Sequence, residues 1–172
     1  ISPTSLPIKT GPSYTAIERA RYFTTLGHNV TLYYPFIRDL ASQRHFWGME
    51  FNEASLYHYL LQAYNIQQNP NIKVRLFVAT YHSLFQWASI DPDQLQTLLN
   101  QQYEHLIFED PPCHFFIHPK NIRLIANARH CTMIYQTDYY GILPSIYSSV
   151  IRLPNSLFFR SIHNKIKLIC YS

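Results

Sequence analysis

Apolar and polar positions alternate along this chain in two different rhythms. Between residues 14 and 26, Ala16, Ala20, Phe23 and Gly27 fall at i, i+4, i+7 and i+11. That spacing lines one face of a helix, with Arg19 and Arg21 off the line. Ser13 is placed to cap its start, and Gly27 fits a left-handed stop. Val30–Tyr34 then reads as a strand, closed by Pro35. Residues 38–50 are mixed polar and aromatic and read as a loop. A second helix is expected over 53–65, with Leu56, Tyr59, Leu60 and Ala63 on one face, and Pro70–Asn71 makes a turn.

The alternation of Val74, Leu76 and Val78 predicts a strand over Lys73–Tyr81. Asp91-Pro92-Asp93 then opens a helix to about residue 102, with Asp91 as cap and Pro92 in the first turn. Short apolar strands follow at His105–Phe108, Cys131–Tyr135 and Ile166–Cys170. Helices are expected at 119–128, 143–151 and 155–164. Strands that are apolar throughout and alternate with helices imply a mostly parallel sheet covered on both faces. The expectation is one Rossmann-like α/β domain over residues 1–172. No strand precedes the glycine turn Thr10-Gly11-Pro12-Ser13, and the chain stops just after a core strand. A chain cut at both ends would look like this.

Composition narrows the classes. With 47% hydrophobic and 14% charged residues in 172, the chain is globular rather than disordered. No run approaches the roughly 18–20 apolar residues of a membrane span, and the first residues lack the pattern of a secretory signal. The three cysteines, Cys113, Cys131 and Cys170, are dispersed and read as buried free thiols of a reducing compartment. Charge is uneven. Residues 1–110 hold seven Lys/Arg and nine Asp/Glu, a net −2, whereas residues 111–172 hold seven Lys/Arg and one acid, a net +6. A basic last third suits an anionic neighbour.

In open α/β sheets, ligands bind beyond the carboxyl ends of the strands. Three such ends are polar here: Thr10-Gly11-Pro12-Ser13, Glu109-Asp110-Pro111 and Gln136-Thr137-Asp138-Tyr139. The topology makes them converge on one cleft. Gly11 before a helix lets a phosphate or hydroxyl approach backbone N–H groups, or is an ordinary tight turn. Glu109 and Asp110 can accept hydrogen bonds from sugar hydroxyls or act as a base, or simply cap a turn. Cys113, His114 and His118 match no zinc spacing, so no metal is expected; His114 alone is a candidate ligand contact. Arg152, Arg160, Lys165 and Lys167 are interleaved with Leu153, Leu157, Phe158, Phe159 and Ile162. Such a helix can lie on an anionic membrane or pack on the sheet with its charges solvated. Nucleic-acid binding is not expected, because no basic cluster or recognised module stands out.

These segments together resemble a family. Leu6-Pro7, Thr10-Gly11, the helix after them and Asn29-Val-Thr-Leu-Tyr-Tyr-Pro35 look like the start of digalactosyldiacylglycerol synthases of plants and algae. More broadly they resemble retaining glycosyltransferases of the GT-B fold. Phe108-Glu-Asp-Pro111 resembles that family's Glu-Glu-Pro, and Gln136-Thr-Asp-Tyr139 its His-Thr-Asn-Tyr. The stretch 151–164 and Ile166–Ser172 resemble the approach to the last strand of the N-terminal domain. The motifs are short; their order and spacing over nearly the whole chain carry the likeness.

The resemblance implies a first, acceptor-side domain whose partner is a second Rossmann-like domain that binds the UDP-sugar donor. No cofactor would be bound by this chain, and its isolated activity would be nil. The full enzyme would transfer a hexose such as galactose to a glycolipid acceptor with retention. It would sit inside the cell, at a membrane surface, which for this family is the plastid envelope. Thr10, Gly11, Pro12, Ser13, Glu109, Asp110, His114, Gln136, Asp138 and Tyr139 would bind substrate. Arg152, Phe158, Phe159, Arg160 and Lys165 would face membrane or the second domain. Two departures matter: Gln136 stands where the family has His, with Asp138 for its Asn, and Cys113 aligns with a family His one place before His114. Gln cannot exchange a proton, so no catalytic residue is assigned. A non-catalytic binding module that keeps the fold is the alternative, with another nucleotide-binding α/β protein behind it.

Overall fold

The computed structural model of the chain describes residues 11–82, 87–90, 103–109, 130–136 and 166–171. The chain divides into two compact units, residues 1–91 and 92–172. Among the described residues each unit has one three-stranded sheet, ordered β1-β2-β3 in the first and β4-β5-β6 in the second.

In the first unit, helix α1 spans Gly11–Thr25. It begins earlier than the pattern predicted, so Ser13 lies inside its first turn and not at the cap. Pro12 explains the shift. First-turn N–H groups have no intrahelical partner, so a proline there sacrifices no hydrogen bond and its fixed φ suits the helix. The helix ends as expected at Gly27, whose φ of +87° only glycine adopts without strain. Ala16, Ile17 and Ala20 form its buried stripe.

Strand β1 covers Val30–Ile37, so Pro35 does not close it. Among the described residues β1 pairs only with β2, Val30↔Ile72 through Ile37↔Ala79, in parallel. A strand with one neighbour tolerates a missing N–H, because alternate N–H groups point away from that neighbour. The expected loop at 38–50 is in part a helix, α2, Leu40–Trp47. Asp39 caps it by accepting the Ser42 N–H at 2.7 Å, and Gly48, at φ +68°, stops it. Hydrogen bonds from Ser42, first from its hydroxyl, hold the Asp39 carboxyl below its ordinary pKa.

Helix α3, Glu53–Ala63, starts with a reciprocal capping box: Ser55 N–H donates to Asn52 Oδ1 at 2.8 Å, and Asn52 N–H donates to Ser55 Oγ at 2.9 Å. Asn65, in the left-handed conformation, turns the chain out of it. Strand β2, Ile72–His82, pairs antiparallel with β3, Trp87–Ile90, from Ala79↔Ile90 to His82↔Trp87. This strand was not expected. Helices α1 and α3 share one face of the sheet. Arg21 donates to the Tyr64 carbonyl, and Asn69 Nδ2 donates to Thr24 Oγ1 at 2.8 Å. Beneath them Ile17, Tyr34, Leu56, Leu60, Ile66, Ile72 and Val74 make one core cluster. On the opposite face, Thr31, Lys73 and Arg75 are exposed, while Pro35, Phe77 and Ala79 further along are buried.

Within this core the Tyr34 hydroxyl has no hydrogen-bond partner among the described residues, and the side chain is 1% exposed. Burial, with the neighbouring Tyr64 second, pushes its phenol well above the ordinary pKa. In the unfolded chain the phenol ionises near pH ~10. Stability is therefore whole below that pH and falls as pH rises past it, by up to about 1.4 kcal/mol per pH unit. Tyr34→Phe is expected to flatten this alkaline loss. At pH 7 it should leave stability unchanged or raise it by up to about 1 kcal/mol. Urea unfolding across pH 7 to 11 checks this; the same alkaline slope in both proteins would refute it.

In the second unit β4, β5 and β6 cover His105–Glu109, His130–Gln136 and Ile166–Tyr171. All lie within a residue or two of the predicted bounds, and both pairings are parallel. Of the four strand pairings described, only β2–β3 is antiparallel. The chain is thus α/β with mainly parallel pairing. The helices expected at 91–102, 119–128, 143–151 and 155–164 lie outside the described residues.

Candidate functional site

The second unit brings two of the expected residues to one sheet edge. Strands β4 and β5 are parallel neighbours, so their carboxyl ends, at Glu109 and Gln136, share an edge. Glu109 pairs with Ile134, and Gln136 follows two residues later. With about 4.8 Å between strands and about 3.3 Å per residue, their Cα atoms are about 8 Å apart. Side chains alternate between faces with period two, so Glu109, Ile134 and Gln136 occupy register positions of the same face. Tyr171, at the end of β6, pairs with Gln136 and extends the row.

The strands that carry this edge form because their interiors are apolar or β-branched: Leu106-Ile107-Phe108, Thr132-Met133-Ile134 and Leu168-Ile169. Leu106 and Thr132 are buried, at 5% and 6% exposure.

Gly11, Pro12 and Ser13 belong to the first unit, in the first turn of α1 and not in a turn before it. The connection of residues 26–29 turns the chain back into β1, which brings the start of α1 toward the carboxyl end of that strand. No acidic residue occupies the first helical turn. The unpaired amides at this end carry the positive end of the helix dipole. Thr10, Asp110, His114, Asp138, Tyr139, Arg152, Phe158, Phe159, Arg160 and Lys165 lie outside the described residues.

One feature was not anticipated. In the first unit an open groove of about 360 Å³ runs beside β2, lined by Tyr57, Leu61, Asn69, Lys73 and Arg75 among others. Lys73 and Arg75 occupy alternate, exposed positions of β2, and among the described residues no carboxylate pairs with them. On sequence they read only as the solvent side of an alternating strand. Their shared signal, two cations at i and i+2 opposite an apolar row, is common to many exposed strands. Among the described residues no helix is long and apolar enough to cross a membrane.

Compared with known proteins, the sequence matches no family model, and no curated protein is significantly similar to it.

Proposed function

We propose that this chain is the acceptor-side, Rossmann-like part of a retaining GT-B glycosyltransferase. The full enzyme would transfer a hexose such as galactose from a UDP-sugar to a glycolipid. The observation that carries the reading is the parallel β4–β5 edge, where Glu109 and Gln136 end together in the order of the resembled motifs. On this reading Glu109, Asp110, Gln136 and Asp138 hydrogen-bond hydroxyls of the acceptor sugar, and Tyr139 closes the cleft beside them. A second Rossmann-like domain supplies the donor site, so the proton transfers and bond exchange depend on groups beyond this chain. The basic aromatic stretch near 152–165 meets the anionic membrane that presents the lipid, at a plastid envelope if the likeness extends that far.

Gln136 favours a second reading, a non-catalytic binding module, because an amide holds a sugar hydroxyl but cannot relay a proton. The two readings share sugar binding and differ in turnover. Titration of the 172-residue chain with a galactosylglycerol headgroup, followed by NMR, tests what they share. Shifts are expected at the ends of β4 and β5. Glu109→Ala and Gln136→Ala are each expected to weaken binding about fivefold, the worth of roughly 1 kcal/mol of hydrogen bonding. Absence of any shift at millimolar headgroup would refute both. Sugar transfer by this chain alone would refute the need for a second domain. A gene product that includes any downstream domain and binds the headgroup without transfer would leave the module.

A further inference from the structure

The amino ends of β4 and β5 hold a cluster that the glycosyltransferase reading does not use. It lies at the opposite edge of the sheet from Glu109, about 13 Å away along β4. His105 and His130 are direct register partners on neighbouring strands. Their ring centroids are 5.9 Å apart, with the ring planes inclined at 49°. The His130 N–H donates to the Glu104 carbonyl at 3.0 Å, which ties the start of β5 to the entry of β4. The His105 Nε2 lies 2.9 Å from the Oγ1 of buried Thr132, two register pairs further into the sheet. Both histidines are solvent-exposed.

We propose that His105 and His130 form a two-imidazole site for a divalent late transition-metal ion such as Cu²⁺, Ni²⁺ or Zn²⁺, with water completing the coordination. The distances fit. A metal sits about 2.0–2.1 Å from an imidazole nitrogen. The ring centre lies about 1.2 Å beyond that nitrogen, so two rings on a tetrahedral ion have centres about 5.2 Å apart. The observed separation is wider by about 0.7 Å, which a modest side-chain rotation of the exposed rings closes. Thr132 supplies the outer contact that metal-binding histidines use to fix ring orientation. Among the described residues no group of three or more His, Cys, Asp or Glu is placed to hold a metal. The site therefore has two protein ligands, which makes it exchangeable, unlike a closed four-ligand structural zinc site. Imidazole donors select late transition metals over Mg²⁺ and Ca²⁺, which prefer oxygen.

Calorimetric titration of the 172-residue chain tests this. One site is expected, tighter for Cu²⁺ than for Ni²⁺, with no uptake of Mg²⁺ at that site. His105→Asn and His130→Asn are each expected to weaken Cu²⁺ binding more than tenfold, and Thr132→Val by about tenfold. His58→Asn, on the exposed side of α3, should leave it unchanged. Circular dichroism confirms that each variant is folded. A folded His130→Asn protein that binds Cu²⁺ like the parent overturns the proposal, as does an equal loss in His58→Asn. If the strand variants do not fold, substoichiometric Cu²⁺ on the parent decides. Paramagnetic broadening should appear first at residues 104–106 and 130–132, and broadening that begins elsewhere overturns the site.

Discussion

Gln43→Leu is expected to lower the unfolding free energy of the first unit by about 3 kcal/mol. Gln43 is wholly buried, at 0% exposure, although its side chain is polar. Its Nε2 donates to the Ile37 carbonyl at the end of β1 and, at 2.9 Å, to the Phe51 carbonyl. Its Oε1 accepts the Phe51 N–H at 2.6 Å. One amide thus ties the strand, helix α2 and the entry to α3. Leucine nearly matches its volume but leaves two carbonyls and one N–H without partners, and each orphan costs about 1–3 kcal/mol. The apolar side chain returns part of that. Urea denaturation followed by circular dichroism measures the change. Gln43→Glu keeps the shape and the acceptor but loses both donations, so it should fall as far at neutral pH. A loss below about 1 kcal/mol in both variants would show that the clamp contributes little.

Leu60→Ala is expected to remove about 3–4 kcal/mol and to lower the melting temperature by roughly 15–20 °C. Leu60 is 0% exposed, and with Leu56 one turn before it forms the apolar stripe of α3. Ile72 and Val74 of β2 belong to the same cluster. Truncation removes three carbons, the branch carbon and its two methyl groups, and leaves a void that close-packed neighbours fill only in part. Tyr57, three residues before Leu60 and 37% exposed, provides the contrast: Tyr57→Ala should cost under about 1 kcal/mol. Scanning calorimetry separates the two. A melting shift of less than about 5 °C for Leu60→Ala would mean that α3 is not a main support of the sheet.

The elements that the chain announces are those in which local and tertiary signals agree. Helix α3 carries its apolar stripe and its cap in the same thirteen residues, Asn52–Tyr64. Strands β4, β5 and β6 are short, mostly apolar or β-branched runs, a pattern that marks strands locally. Helix α2 was missed for a specific reason: Gln43 occupies a core position, so the polar residue breaks the apolar period that would have revealed the helix. Its caps, Asp39 and Gly48, are short-range signals that the structure reveals, and without an apolar stripe between them they do not mark a helix. Pro35 misled because proline ends strands only where the ladder needs an N–H at that position. At the candidate site the order of polar strand ends was readable. The shared face of Glu109 and Gln136 was not, because it depends on register. The His105–His130 pairing joins positions 25 residues apart, and no local pattern predicts such a partner.

The β2–β3 ribbon bears on how the first unit acquires its structure. His82 and Trp87 meet across a separation of 5 residues, whereas Val30 and Ile72 meet across 42. Closing the longer loop costs about 2 kcal/mol more chain entropy, from the logarithm of the ratio of lengths. Hairpins also form within microseconds. The antiparallel strand is thus expected to pair first and hold β2 extended as a template on which β1 later docks. Pulse-labelled hydrogen exchange should protect the amides of 79–82 and 87–90 ahead of those of 30–37, and the reverse order would refute this. A strand of four residues would then set the order in which the unit is assembled.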